Sequence, residues 1–260
     1  MLNFAPHQRM NQQTGLLFGI VFVLSGPLQL MASEIPAEVL DLSAWKVTLP
    51  ADLPERKGSP DEIRQPQLKT FIEPGAFFVN ENGKGVVFRA ISGAMTTVNS
   101  KYPRSELREM TADGSASAAW NTNDDHIHTM TLQQAVTKTP EVKPHVVCAQ
   151  IHDKKDDVMM VRLEGQRLFI ERNKTGDVEL DTAYVLGTSF NLRIEAGNGR
   201  VKVWYNDVLS MDWETVRTGC YFKAGCYTQS NVEKGDKPDA YGEVVITALA
   251  ISHQVKTITP

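Results

Sequence analysis

The sequence predicts an all-β protein, a sandwich or barrel built from antiparallel strands. Three observations carry this reading. Short β-rich runs recur at regular spacing, turn dipeptides fall between them, and no stretch keeps a helical apolar period with caps at both ends. With 260 residues, 42% of them apolar and 22% charged, the chain has material for one large β domain and does not have a disordered composition.

Taken in order, the chain opens with Arg9 ahead of a short apolar run, Leu16 to Leu24, and then the small residues Ala32 and Ser33. A charged lead, a short apolar core and a small-residue exit describe a secretory signal peptide over residues 1–32, with Leu30 an imperfect residue before the cut. The run is too short to span a bilayer comfortably, so residues 33–260 are expected as one domain, secreted or periplasmic, with no stable membrane anchor. Residues 50–66 are polar and proline-rich and read as a loop. Strand-like runs follow: 85–90 (GVVFRA), 126–136 (HIHTMTLQQAV), 146–152 (VVCAQIH), 158–163 (VMMVRL), 167–171 (RLFIE), 191–196 (NLRIEA), 200–206 (RVKVWYN), 221–229 (YFKAGCYTQ) and 242–253. Asn82-Gly83 and Asn198-Gly199 are hairpin dipeptides because both residue types accept positive φ at little cost. Glu164-Gly165 and Thr175-Gly176-Asp177 read as further turns.

Removing residues 1–32 takes away Arg9 and no acidic residue, so the net charge moves from −4 to −5. A mildly acidic protein is a poor general binder of polyanions, and nucleic acid is not an expected partner. Any anionic ligand has to be held by a local basic strip. Cys148, Cys220 and Cys226 do not make a disulfide framework. Cys220 and Cys226 on one regular strand sit about 20 Å apart, too far to pair; pairing of Cys148 with either stays open. His126 and His128 alternate on one strand face, but no Cys or acidic partner cluster is evident, so no metal site is expected there. Asp153 to Asp157 (DKKDD) lacks the ligand spacing of a calcium loop and reads as a solvated hairpin turn.

Three segments stand out chemically. In Tyr102 to Met110 (YPRSELREM), Pro103 marks a strand start or edge, and alternation puts Arg104, Glu106 and Arg108 on one face with Leu107 toward the core. Glu106 can orient both guanidinium groups and leave them net positive, a device suited to gripping a carboxylate. The plain alternative is a surface salt-bridge ladder. In Gln150-Ile151-His152, a neutral donor shares a face with a group that titrates near neutral pH. In 221–229, Tyr221, Lys223, Gly225, Tyr227 and Gln229 share one side, while Phe222, Ala224, Cys226 and Thr228 belong to the core. The first set forms a polar, aromatic strip about 20 Å long, suited to an acidic carbohydrate.

Together, in this order and at these separations, the three segments resemble polysaccharide lyase family 7, the alginate lyases. A weaker echo is Trp45 to Pro50 (WKVTLP) with Glu62-Ile63 and Pro66, so the likeness runs from about residue 42 to the end. The resemblance implies a β-jelly roll of two antiparallel sheets with a groove for alginate on the concave sheet. It implies Arg104, Gln150, His152 and Tyr227 as the catalytic set, and Glu106, Arg108, Tyr221, Lys223 and Gln229 as supporting or substrate-binding residues. It also links the isoleucine of the Gln-Ile-His triplet with guluronate-containing alginate. The chain is expected to work as a monomer and without a metal or other cofactor, since arginine supplies the positive charge.

The implied reaction is β-elimination. The C5 proton of a 4-linked uronate is a very weak acid because the C6 carboxylate is already charged. Donors must neutralise that carboxylate and hold the charge as it spreads. Arg104 and Gln150 fit this task, with help from His152. Either His152 or a deprotonated Tyr227 can take the proton, and Tyr227 can protect the leaving oxygen. A jelly-roll glycoside hydrolase would need two carboxylates beside the bond, and the polar strips hold only Glu106. A non-catalytic carbohydrate-binding module would not need a histidine and tyrosine poised for proton transfer.

Overall fold

The computed structural model describes Met1 and residues 34–52 and 59–256. The expected signal peptide therefore falls outside the described residues, as does the middle of the 50–66 loop. The described chain is nearly all strand: β1 (Trp45–Thr48), β2 (Glu62–Ile63), β3 (Phe77–Val79), β4 (Val86–Ile91), β5 (Arg104–Glu109), β6 (His126–Lys138), β7 (His145–His152), β8 (Asp157–Glu164), β9 (Arg167–Glu171), β10 (Val178–Asp181), β11 (Phe190–Gly197), β12 (Arg200–Tyr205), β13 (Val208–Glu214), β14 (Tyr221–Thr228) and β15 (Tyr241–Val255). The one α-helix among the described residues is a single turn, Pro36–Val39. Within the expected 50–66 loop, β2 pairs with β1, matching Val47 to Ile63 and Thr48 to Glu62.

Two antiparallel sheets form. The first runs β10-β9-β8-β7-β14-β5-β1-β2 and the second β13-β12-β11-β6-β15-β4-β3. This is the jelly-roll sandwich that the motifs implied. The predicted turns close the local hairpins. Asn198 (φ +55°) and Gly199 (φ +68°) are both left-handed, the conformation a two-residue hairpin between β11 and β12 demands. Asn206 and Asp207, at φ +47° and +65°, do the same between β12 and β13 without a glycine.

Alternation decides which side chains meet between the sheets. Val47, Leu107, Ile151, Phe222 and Ala224 of the first sheet share a core with Phe88, Met130, Ile194, Val203 and Ile246 of the second, all fully buried or nearly so. Full burial of each large apolar side chain stabilises the fold by about 1.5–3 kcal/mol. Tyr184 is buried with its phenol satisfied, accepting from the Val136 N–H at 3.0 Å and donating to the Thr188 carbonyl at 2.6 Å. All three cysteines are free and buried. Burial pushes the Cys148 and Cys226 thiols up to about 12, so neither is a ready nucleophile.

One irregularity shapes the centre of the first sheet. Against β5, strand β14 keeps perfect register from Lys223 (opposite Arg108) to Tyr227 (opposite Arg104). Against β7 the register slips between Ala224 and Tyr227. Gly225 sits at φ +128° in that step, and a Cβ there would lie 2.7 Å from the Ser105 carbonyl oxygen and 2.9 Å from the Phe88 ring. This is a β-bulge that only glycine accommodates.

Candidate active site

Strand β14 lies between β7 and β5, although the chain reaches it last of the three. The three segments singled out in the sequence are therefore side by side. Register sets Tyr221 against His152 and Lys223 against Gln150 on one flank, and Lys223 against Arg108 and Tyr227 against Arg104 on the other. On the face of the sheet turned away from the core they line a cavity of about 390 Å³. Arg104, Arg108, Gln150, His152, Tyr221, Lys223 and Tyr227 all contribute to its walls.

Glu106 lies beneath this surface, only 2% exposed. Arg104 Nη1 donates to its carboxylate at 3.1 Å, and Lys223 Nζ and Gln150 Nε2 also close on it. Burial by itself would raise the Glu106 carboxyl. The charges of Lys223 and Arg104, with hydrogen bonds from Lys223 and Gln150, hold it below the usual carboxylate range instead. Burial pushes Lys223 down to about 8, against the pull of Glu106 and with the repulsion of Arg104 and Arg108. Arg104, Arg108 and Lys223 stand around the one buried carboxylate, Glu106, so the floor of the cavity carries an excess of positive charge, while Glu62, Asp156 and Asp157 lie with Lys154 and Lys155 on its walls. The expectation that Glu106 orients both arginines needs correction. Arg108 lies over the Tyr221 ring, 4.0 Å from its centroid, while Gln150 and Lys223 take the places beside Arg104 at the carboxylate.

His152 is half-buried, with Nδ1 2.6 Å from the Asp153 carbonyl oxygen and 3.1 Å from the Tyr221 hydroxyl. A carbonyl can only accept, so the neutral ring carries its proton on Nδ1 and leaves Nε2 with a free lone pair. Burial lowers its pKa, and Lys223 and Arg104 add to the lowering, which outweighs the hydrogen bond to Asp153. Arg104 also stacks on Tyr227, its guanidinium carbon 3.8 Å from the ring centroid. The Tyr227 hydroxyl lies 2.9 Å from Ser100 Oγ.

Gln229 is not part of this arrangement. Strand β14 ends at Thr228, whose hydroxyl donates to the Ala90 carbonyl, and the Gln229 N–H donates to the His145 carbonyl oxygen. Gln229 is 8% exposed and does not line the cavity, because the strip assumed one more residue of regular strand than exists. Sequence reasoning also missed contributors. Thr97, Asn99 and Ser100 come from the segment before β5, and Thr48 and Glu62 from β1 and β2. Lys46 Nζ pairs with Glu62 at 2.6 Å next to them. Isolated serines and asparagines carry no pattern, but Lys46 and Thr48 alternate on a strand and were legible in principle. The Asp153–Asp157 turn joins β7 to β8 as expected, and Lys154, Lys155 and Asp156 from it border the cavity.

The histidines of β6 also differ from expectation, because acidic partners are present. Asp125 lies 2.8 Å from His126, and Asp124 lies 3.0 Å from His128. Asp124, Asp125 and His126 converge closely enough to hold a cation among the described residues. None of them lines the cavity of about 390 Å³ that holds Arg104 and Tyr227.

Comparison with known proteins identifies the family. Residues 40–253 match a family model described as alginate lyase. An alginate lyase from Klebsiella pneumoniae is 24% identical, over 93% of this chain and 98% of its own length. A solved alginate lyase of polysaccharide lyase family 7 is 48% identical with a TM-score of 0.81, covering 85% of this chain and 100% of that one. The alginate lyase of Corynebacterium sp. is 43% identical with a TM-score of 0.81, covering 86% and 100%. With the family model spanning most of its length, the chain belongs to polysaccharide lyase family 7, the alginate lyases.

Proposed function

We propose that the protein cleaves alginate by β-elimination at this cavity, leaving a 4,5-unsaturated uronate at the new non-reducing end. One observation carries the assignment of roles: Arg104, Gln150, His152 and Tyr227, from three adjacent strands, line a single cavity with a cationic floor. In this reading Arg104 and the Gln150 amide bind the C6 carboxylate. One amide hydrogen of Gln150 is engaged by Glu106, and the second is free to reach substrate. These donors hold charge as it spreads over both carboxylate oxygens, the step that makes the C5 proton removable.

His152 Nε2, neutral and unprotonated, takes the C5 proton in guluronate, where proton and leaving group lie on opposite sides of the ring. Tyr227 then donates to the departing 4-linked oxygen. In mannuronate both lie on one side, and Tyr227 can serve as base and then acid. Guluronate-containing blocks are the favoured substrate in this reading. Arg108, Tyr221 and Lys223 hold flanking parts of the polymer, and Glu106 fixes the donors from below. We further propose that residues 1–32 are a leader and that the mature chain acts outside the cytoplasm as a monomer. The apolar run behind Arg9 supports the leader, and among the described residues no helix is long and apolar enough to cross a membrane.

The test is digestion of guluronate-rich, mannuronate-rich and mixed alginate by wild type and Tyr227→Phe. Wild type should release ultraviolet-absorbing unsaturated products, and Tyr227→Phe should bind polymer with little change and fail to turn it over. Cleavage without the absorbance would mean hydrolysis, and wild-type-like turnover by Tyr227→Phe would remove the proposed acid.

A further inference from the structure

The segment before β5 places one hydroxyl where the proposed chemistry changes charge. Ser100 Oγ lies 2.9 Å from the Tyr227 hydroxyl, 3.0 Å from the Tyr102 N–H and 3.1 Å from the Tyr102 carbonyl oxygen. A serine hydroxyl has one proton to give and two lone pairs to offer. The Tyr102 N–H always fills one lone pair. While Tyr227 is a phenol, it donates to the second, and Ser100 gives its own proton to the Tyr102 carbonyl. Once Tyr227 has given up its proton, it can only accept. Rotation about the Ser100 Cβ–Oγ bond then swings the serine proton from the carbonyl to the phenolate. Two hydrogens turn and no heavy atom needs to move: the phenolic one toward the departing oxygen and the serine one toward the phenolic oxygen, so the Ser100–Tyr227 contact keeps one donor and one acceptor while the Tyr102 carbonyl gives up its hydrogen bond.

We propose that Ser100 is a positioning residue for Tyr227, whose hydroxyl reverses its hydrogen bond as the phenol loses and regains its proton. This rests on Tyr227 being the group that exchanges a proton with substrate. The other groups around the phenol are suited to the same cycle but cannot replace the serine. Arg104 lies over the ring face and acts on the π-system. Tyr102 meets Tyr227 edge-on with ring centroids 6.5 Å apart, and its own hydroxyl is engaged by Lys143 Nζ at 3.3 Å. Among the contacts of the Tyr227 hydroxyl within the described protein, Ser100 is the one that can either accept or donate. The reversal would therefore hold the phenol in a single orientation through both halves of the reaction.

The experiment compares wild type with Ser100→Ala, Ser100→Thr and Tyr227→Phe on guluronate-rich alginate, where Tyr227 acts as the acid, across a pH series. Ser100→Ala should lose about 10- to 100-fold in kcat with KM within about twofold, the loss of one hydrogen bond to a charged oxygen. The alkaline limb of its kcat/KM profile should move to higher pH by about one unit, because the phenolate has lost its donor. Ser100→Thr, which keeps the hydroxyl, should recover most of kcat and return the limb. A kcat and a pH profile like wild type in Ser100→Ala would overturn the proposal. So would a lower kcat with an unmoved limb, which would mean that the serine only shapes the loop. If Tyr227→Phe stays active, the assignment of Tyr227 fails, a result distinguishable from failure of the serine alone.

Discussion

Replacing Glu106 by glutamine tests the electrostatic floor of the site most directly. The carboxylate is 2% exposed and receives Arg104, Lys223 and Gln150. Glutamine keeps the size but removes the charge, so Lys223, itself 7% exposed, becomes a buried cation without a counter-ion. Breaking a buried pair by removing one partner costs about 3–5 kcal/mol. The pH dependence of that loss is specific. Burial already holds Lys223 down at about 8 in the folded wild type, and Glu106 opposes the depression. Without Glu106 the folded-state value falls further, while the unfolded value stays near the ordinary lysine value of about 10.4. A depressed lysine favours folding at high pH, and that contribution shrinks as pH falls until the folded-state value is passed. Wild type passes it at about 8, and the variant passes it later. Between about pH 8 and about pH 6, the stability gap between the two should therefore widen by up to about 1.4 kcal/mol per pH unit. Urea denaturation at several pH values, followed by tryptophan fluorescence, measures this gap. A gap below about 1 kcal/mol that does not change with pH would refute the reasoning and would mean that Lys223 finds solvent or another anion.

Other outcomes follow from the same geometry. Gln150→Ala should cost about 10²–10³ in kcat if the amide stabilises developing charge, and a change confined to KM would assign it to binding alone. Burial and the nearby cations lower the His152 pKa, so the base stays neutral at neutral pH. The acidic limb of kcat/KM should accordingly lie below the ordinary histidine value of about 6.5, and a limb clearly above it would exclude His152 as the base. Gly225→Ala puts a methyl group 2.7 Å from the Ser105 carbonyl at φ +128° and should destabilise the protein by about 2–4 kcal/mol in urea denaturation. Wild-type stability in that variant would mean that the bulge is not held as described.

The fold class and most of the site were legible because both rest on alternation along single strands. Period-two patterning told which of Arg104, Ser105, Glu106, Leu107 and Arg108 face outward, and the core burial of Leu107 and Phe222 agrees. Where local regularity breaks, that reasoning fails. Gln229 was counted into the strip because nothing in YTQS announces the end of a strand. The bulge at Gly225 was visible only as a glycine in a strand, a signal that names no direction. Asp124 and Asp125 beside His126 were overlooked because their contact is made by a turn.

By itself, then, the sequence determined the all-β class, the outward face of each chemical segment and the kinds of group each one offers, because these depend on neighbours one or two residues away. Only the tertiary structure decided that β14 pairs between β5 and β7, which makes three distant segments one surface. It also decided that Glu106 binds Lys223 and Gln150 with Arg104 while Arg108 turns to Tyr221, and that Ser100 meets Tyr227 across 127 positions of chain. The physical reason is that strand pairing and buried charge pairing are selected by competition among all partners in the folded chain, and no local pattern records who wins.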